Sequence, residues 1–128
     1  MEAQRIQRYR NQSLRFLENA FKEMRGGRWL ESEELLWGSL TLAVKGVALS
    51  RGEKLADNER VKAYALRLGQ EHRDRRIRDA FNQLASFSDT VARIRESRSR
   101  VDQLSLALDD VSSAVKRLWE MVPTENGP

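Results

Sequence analysis

Arg67 and His72 lie five positions apart and form the one pair in the sequence with the residue types for acid–base work on a phosphate ester. An imidazole can take a proton from a ribose hydroxyl or return one to a leaving oxygen, while a guanidinium steadies charge on the phosphate. Such a pair describes a metal-independent endoribonuclease. With 18 arginines in 128 residues, an Arg near a lone His also arises from composition alone. Other chemistries are removed by absence. The chain has no cysteine and His72 is its only histidine, which excludes thiolate nucleophiles, disulfides and a multi-histidine zinc site within one chain. No glycine-rich phosphate loop is present, and the adjacent acids Asp109 and Asp110 do not share a helical face. No cofactor or metal is expected.

Residues suited to binding are more numerous. Glu33 falls at the angular centre of an apolar helical face, between Trp29, Leu36, Trp37 and Leu40. A buried carboxylate there needs a partner such as Arg67, whereas a wet one simply suits the helix N-terminus. Lys45 is placed to reach a phosphate or to run its stem along apolar neighbours into solvent. Arginines concentrate between Arg67 and Arg100, with Arg73, Arg75, Arg76 and Arg78 in one group and Arg93, Arg95, Arg98 and Arg100 in another. The two groups stand roughly 30 Å apart along a helix. They read either as a phosphate-binding surface or as a solvated basic face. The formal net charge of +4 and pI near 9.8 permit a nucleic-acid partner without demanding one.

The elements that must position these residues are helices. Apolar residues recur at three- and four-residue spacing, and both prolines, Pro123 and Pro128, lie at the C-terminal end. The spacing predicts a first helix with Ile6, Tyr9, Phe16, Leu17, Ala20, Phe21 and Met24 inward, stopped by Gly26 and Gly27. A second, about Trp29 to Ser50, is apolar on two sides and therefore central. Gly38 and Gly46 within it invite close approach by another helix, from this chain or a second copy. A short third helix follows an Asp57 or Asn58 cap, with Val61, Tyr64, Ala65 and Leu68 inward. A fourth runs from about Asp74 to Ile94, a serine-rich turn follows at Ser97 to Ser99, and a fifth carries Val101 to Val122. The expectation is an all-α, antiparallel bundle of about five helices, one domain over residues 1–122, with residues 123–128 as a flexible tail. The ridge Leu35, Leu42 and Leu49 exceeds what one layer of neighbours covers. With Gly38 and Gly46 it predicts the interface of a homodimer. No apolar run approaches the ~20 residues that span a bilayer, and the N-terminus lacks a secretory apolar segment, so no membrane partner and a cytoplasmic location are expected.

The stretch Arg28-Trp29-Leu30-Glu31-Ser32-Glu33-Glu34-Leu35-Leu36-Trp37-Gly38-Ser39-Leu40, continuing to Ala43-Val44-Lys45-Gly46-Val47-Ala48, resembles the archaeal paralogous-repeat PaREP proteins of the HEPN superfamily. In those proteins a glycine-containing turn leads into a helix of the type Glu-x-Leu-Trp-Gly-Ala and then Ala-x-Lys-Ala. Ser39 and Gly46 stand here where alanines are usual. The family's second signature has a histidine, a tyrosine and a glutamate that the stretch Leu84 to Asp89 lacks. HEPN ribonucleases follow the arginine with a polar residue, whereas Leu68 follows Arg67. The resemblance implies an HEPN-like dimeric bundle that binds a partner, either a nucleotidyltransferase-type protein, a nucleotide or a nucleic acid, without catalysis. A ribonuclease using Arg67 and His72 is the alternative, and a purely structural helical protein is a third.

Overall fold

The computed structural model describes residues 2–82 and 100–122, and every regular element among them is an α-helix. These are α1 (Glu2–Arg25), α2 (Trp29–Ser50), α3 (Asn58–Glu71), α4 from residue 75 as far as 82, and α5 (Arg100–Glu120). The all-α class expected from the spacing is what the chain adopts. The remainder of the expected fourth helix, Arg93, Arg95 and Arg98, the Ser97–Ser99 turn and the tail lie outside the described residues. So does residue 1. None of the described helices is long and apolar enough to cross a membrane.

α1 and α2 form an antiparallel hairpin held by small polar residues. Ser13 and Ser39 face each other, each hydroxyl donating to the other's backbone carbonyl at 2.7 Å. Seven residues later on α1 and seven earlier on α2, Ser32 donates to the carbonyl of Ala20 at 2.9 Å. All three serines are fully buried, and a hydroxyl that finds a carbonyl there avoids the cost of an unpaired buried polar group. The small side chains also let the two backbones approach. Leu17 and Ala20 line the buried face of α1, while Phe16 is only half-buried because it lies over Gly38 rather than in the core.

α2 is central, as its two apolar faces require: α1, α3 and α5 all pack on it. Its Leu36, Leu40, Ala43, Val44, Val47 and Ala48 are fully buried, together with Val61, Ala65 and Leu68 of α3 and Ile77, Ala80 and Phe81 of α4. From α5 come Val111, Ala114, Val115, Leu118 and Trp119. Phe81 meets Trp37 edge-on, with ring centroids 5.8 Å apart.

Three helices end in the same way. After α1, Arg28 N–H bonds to the Glu23 carbonyl and Gly27 N–H to that of Met24. After α2, Glu53 bonds to Ala48 and Gly52 to Leu49. After α3, Asp74 bonds to Gly69 and Arg73 to Gln70. This pattern is the Schellman motif, whose first post-cap residue takes a left-handed backbone conformation. Gly27 and Gly52 fill it at φ of 78° and 81°, but the third is filled by Arg73 at φ 52°.

Candidate functional site: an arginine-lined cleft

The α3–α4 junction builds a cleft lined by arginines. Asp57 starts α3 by accepting from the Arg60 backbone N–H at 2.9 Å. The Schellman turn then reverses the chain, and Asp74 starts α4 by accepting from the Arg76 N–H at 3.0 Å. Between the two helices lies a cleft of about 390 Å³, lined by Leu66, Gly69, Gln70, Arg73, Asp74, Arg75 and Arg78. Gly69 allows the turn to close, since a Cβ there would stand 3.0 Å from the Asp74 carbonyl oxygen.

Asp74, the one acid in that wall, is already neutralised. Its carboxylate takes both Nε and Nη2 of Arg76, at 3.0 and 2.9 Å, and Nε of Arg117 at 3.3 Å. Arg76 extends on to Ser113 Oγ at 3.2 Å, and Arg117 reaches Glu120 at 3.4 Å. The hydrogen bond from Arg76 holds the Asp74 carboxyl below the usual carboxylate range despite its burial, and Arg117 adds to the effect. This network bolts the start of α4 onto α5. It also divides the arginine group. Arg73, Arg75 and Arg78 face the cleft, whereas Arg76 is a structural tie. Arg78 stands 3.6 Å from the half-buried Asp79, and Arg73 and Arg75 have no ion-pair partner among the described residues.

Arg67 and His72 make no hydrogen bond to each other, and Arg51 is their shared neighbour: it lines one small cleft with Arg67 and Tyr64 and contacts His72. The Arg67 guanidinium lies over the Tyr64 ring, 5.6 Å from its centroid, a cation–π arrangement. Tyr64, Glu53 and Arg67 wall two adjoining smaller clefts, of about 120 and 340 Å³. His72 caps α3 on the exposed surface, where its Nε2 lies 3.4 Å from Nη2 of Arg51. Arg51 also donates to Glu71 at 3.1 Å, and that bond raises its guanidinium above the usual value. Glu33 and Lys45 are half-buried on α2, and neither lines these clefts.

The residues assigned to a dimer interface divide too. The close approach invited by Gly38 and Gly46 is made within the chain, by Phe16 of α1 and Trp119 of α5. Leu49 is buried at 7% exposure, while Leu35 and Leu42 are half-buried. Periodicity did not reveal the Ser13–Ser39 pair or its link to Trp119, whose Nε1 donates to Ser13 Oγ at 3.0 Å. The signal available was Ser13 lying on the same helical face as Tyr9, Leu17 and Ala20. Asp74 was legible as a helix start, but Arg117, 43 residues away, carries no mark of its partner. No family model matches the chain, and neither does any curated protein or solved structure.

Proposed function

We propose that the protein is a non-catalytic helical module that binds a phosphate-bearing partner, a nucleotide or nucleic acid, through the Arg73–Arg75–Arg78 cleft. The observation that carries this reading is Arg73. Two other helix ends of this chain place glycine at the same left-handed position, where a side chain costs on the order of 1 kcal/mol or more. An arginine there gives up stability and gains a guanidinium at the lip of a basic cleft. Planar guanidinium groups bind phosphate oxygens in pairs, so three of them around one recess suit that chemistry. A recess of about 390 Å³ also falls in the size range of small-molecule sites. Non-catalytic binding is supported by the stacking of Arg67 on Tyr64 and by Arg51, rather than Arg67, being the guanidinium beside His72. The HEPN-like resemblance of residues 28–48 and a homodimer built on the half-buried Leu35 and Leu42 belong to the same proposal.

Arg73→Gly separates function from fold. Its thermal midpoint is expected to rise by a few degrees, because about 1 kcal/mol of backbone strain is relieved. Its affinity for a fluorescent ATP analogue or a labelled oligonucleotide is expected to fall about tenfold, the loss of one charged contact. The nucleic acid is expected to be recovered uncut in EDTA. Unchanged affinity in both Arg73→Gly and the Arg75→Gln/Arg78→Gln double variant would remove the cleft from the reading.

A further inference from the structure

The outer face of α1 changes character along the helix. Between Glu2 and Glu18 the helix carries no acid but four arginines. Gln4, Arg5, Arg8, Asn11, Gln12 and Arg15 are all exposed, opposite the inward Tyr9, Ser13 and Leu17. The two halves of α1 are built on different rules. In the C-terminal half, Glu18 pairs with Lys22 at 3.8 Å and Glu23 takes the Arg28 guanidinium. In the N-terminal half, Arg5, Arg8 and Arg15 have no acidic partner among the described residues. Neighbouring like charges on a helix repel, so the run of arginines between Glu2 and Glu18 works against the helix's own stability. A face meant only for solubility mixes signs, as the other half does.

We propose that this face of α1 docks in the major groove of a B-form DNA duplex. The groove is about 12 Å wide and admits a helix, whereas the deep, narrow major groove of A-form RNA does not. Gln4 to Arg15 spans roughly 17 Å, or about five base pairs. The side-chain set fits both parts of the surface it meets. Arginines reach phosphates or guanine edges, while Asn and Gln pair with adenine edges. The Gln7 amide donates to the Asn11 side-chain oxygen at 3.1 Å, so the donor end of Asn11 is its own amide N–H group. The proposal is independent of the α3–α4 cleft and uses none of its residues.

Fluorescence anisotropy with a labelled 20-base-pair DNA duplex and the RNA duplex of the same sequence, from 0.05 to 0.2 M salt, tests it. The wild type is expected to bind the DNA duplex more tightly than the RNA duplex. In Arg5→Gln/Arg8→Gln/Arg15→Gln the slope of log affinity against log salt is expected to fall by about 2.7, one step of about 0.9 per lost phosphate contact. Over that fourfold salt range the advantage of the wild type then shrinks by about 40-fold. Arg8→Gln alone is expected to lower the slope by about 0.9, which keeps the test open should the triple variant fold poorly. Equal slopes in wild type and variants, or a wild-type preference for the RNA duplex, would overturn the proposal. Loss of duplex binding only in the Arg73→Gly/Arg75→Gln/Arg78→Gln variant would overturn it too, and would leave the cleft reading standing.

Discussion

Replacing Gly46 with alanine tests the packing of α2 against α5 at one atom. A Cβ at residue 46 would lie 2.5 Å from both Cη2 and Cζ3 of the Trp119 indole, well inside contact distance. The ring has little freedom to retreat, being 4% exposed and tied through Nε1 to Ser13 at 3.0 Å. Overpacking of this kind costs about 1–3 kcal/mol. Losing the indole hydrogen bond adds about 1 kcal/mol. The better helix propensity of alanine returns about 1 kcal/mol. The net expectation is a loss of about 2 kcal/mol, or roughly 8 °C in thermal midpoint for a chain of this size.

Gly38→Ala is the built-in comparison. Its Cβ would meet the edge of Phe16 at 2.9 and 3.0 Å, but that ring is half-buried and can swing outward. The steric cost and the propensity gain then nearly cancel, and the midpoint is expected to move by no more than about 3 °C. Melting followed by far-ultraviolet circular dichroism reads both variants. Adding Trp119→Phe to Gly46→Ala shortens the clashing ring and is expected to give a favourable coupling of at least about 1 kcal/mol. A Gly46→Ala protein as stable as wild type, or a coupling near zero, would refute the account of how α5 is seated.

Two further outcomes are expected. Asp74 has its carboxyl held below the usual range in the folded state, so its contribution is present above the unfolded value of about 3.9 and is lost as pH falls through the lower folded value. Asp74→Asn is expected to lose about 2 kcal/mol in urea unfolding at pH 7, with the gap narrowing below about pH 4; a gap independent of pH would sink the assignment. If half-buried Leu35 and Leu42 are covered by a second copy, sedimentation equilibrium at micromolar concentration is expected to give twice the chain mass of 14.8 kDa, and a Leu42→Glu variant the single mass. A wild-type mass of 14.8 kDa throughout would remove the dimer.

How much of this was legible depended on whether the information was local. Helical period marked the inward faces of α2, α3 and α5 because burial of one face repeats every three to four residues. Helix starts at Asp57 and stops at Gly27 and Gly52 were legible because capping is a matter of a few adjacent residues. Gly38 and Gly46 announced a close approach, but not that Phe16 and Trp119 would make it. The Ser13–Ser39–Trp119 network was invisible because each serine is ambiguous alone: buried or exposed, its spacing reads the same. Only the antiparallel register brings the two hydroxyls together.

The arginines show where pattern stops and geometry begins. In sequence Arg73, Arg75, Arg76 and Arg78 are one basic run, and any of them could bind or merely solvate. The fold sorts them by what lies within reach. Arg76 meets the shielded Asp74 and Ser113 and becomes part of the scaffold, while Arg75 and Arg78 project into the cleft. Arg73 is set apart by its backbone, which no composition or periodicity reports. A residue that is sterically unsuited to its position, in a chain that twice solves the same turn with glycine, marks where stability has yielded to another requirement. The same reasoning applies to α1, where the acid-free stretch between Glu2 and Glu18 is recognisable only against the paired stretch that follows it. In both places what stands out is a departure from the chain's own habits.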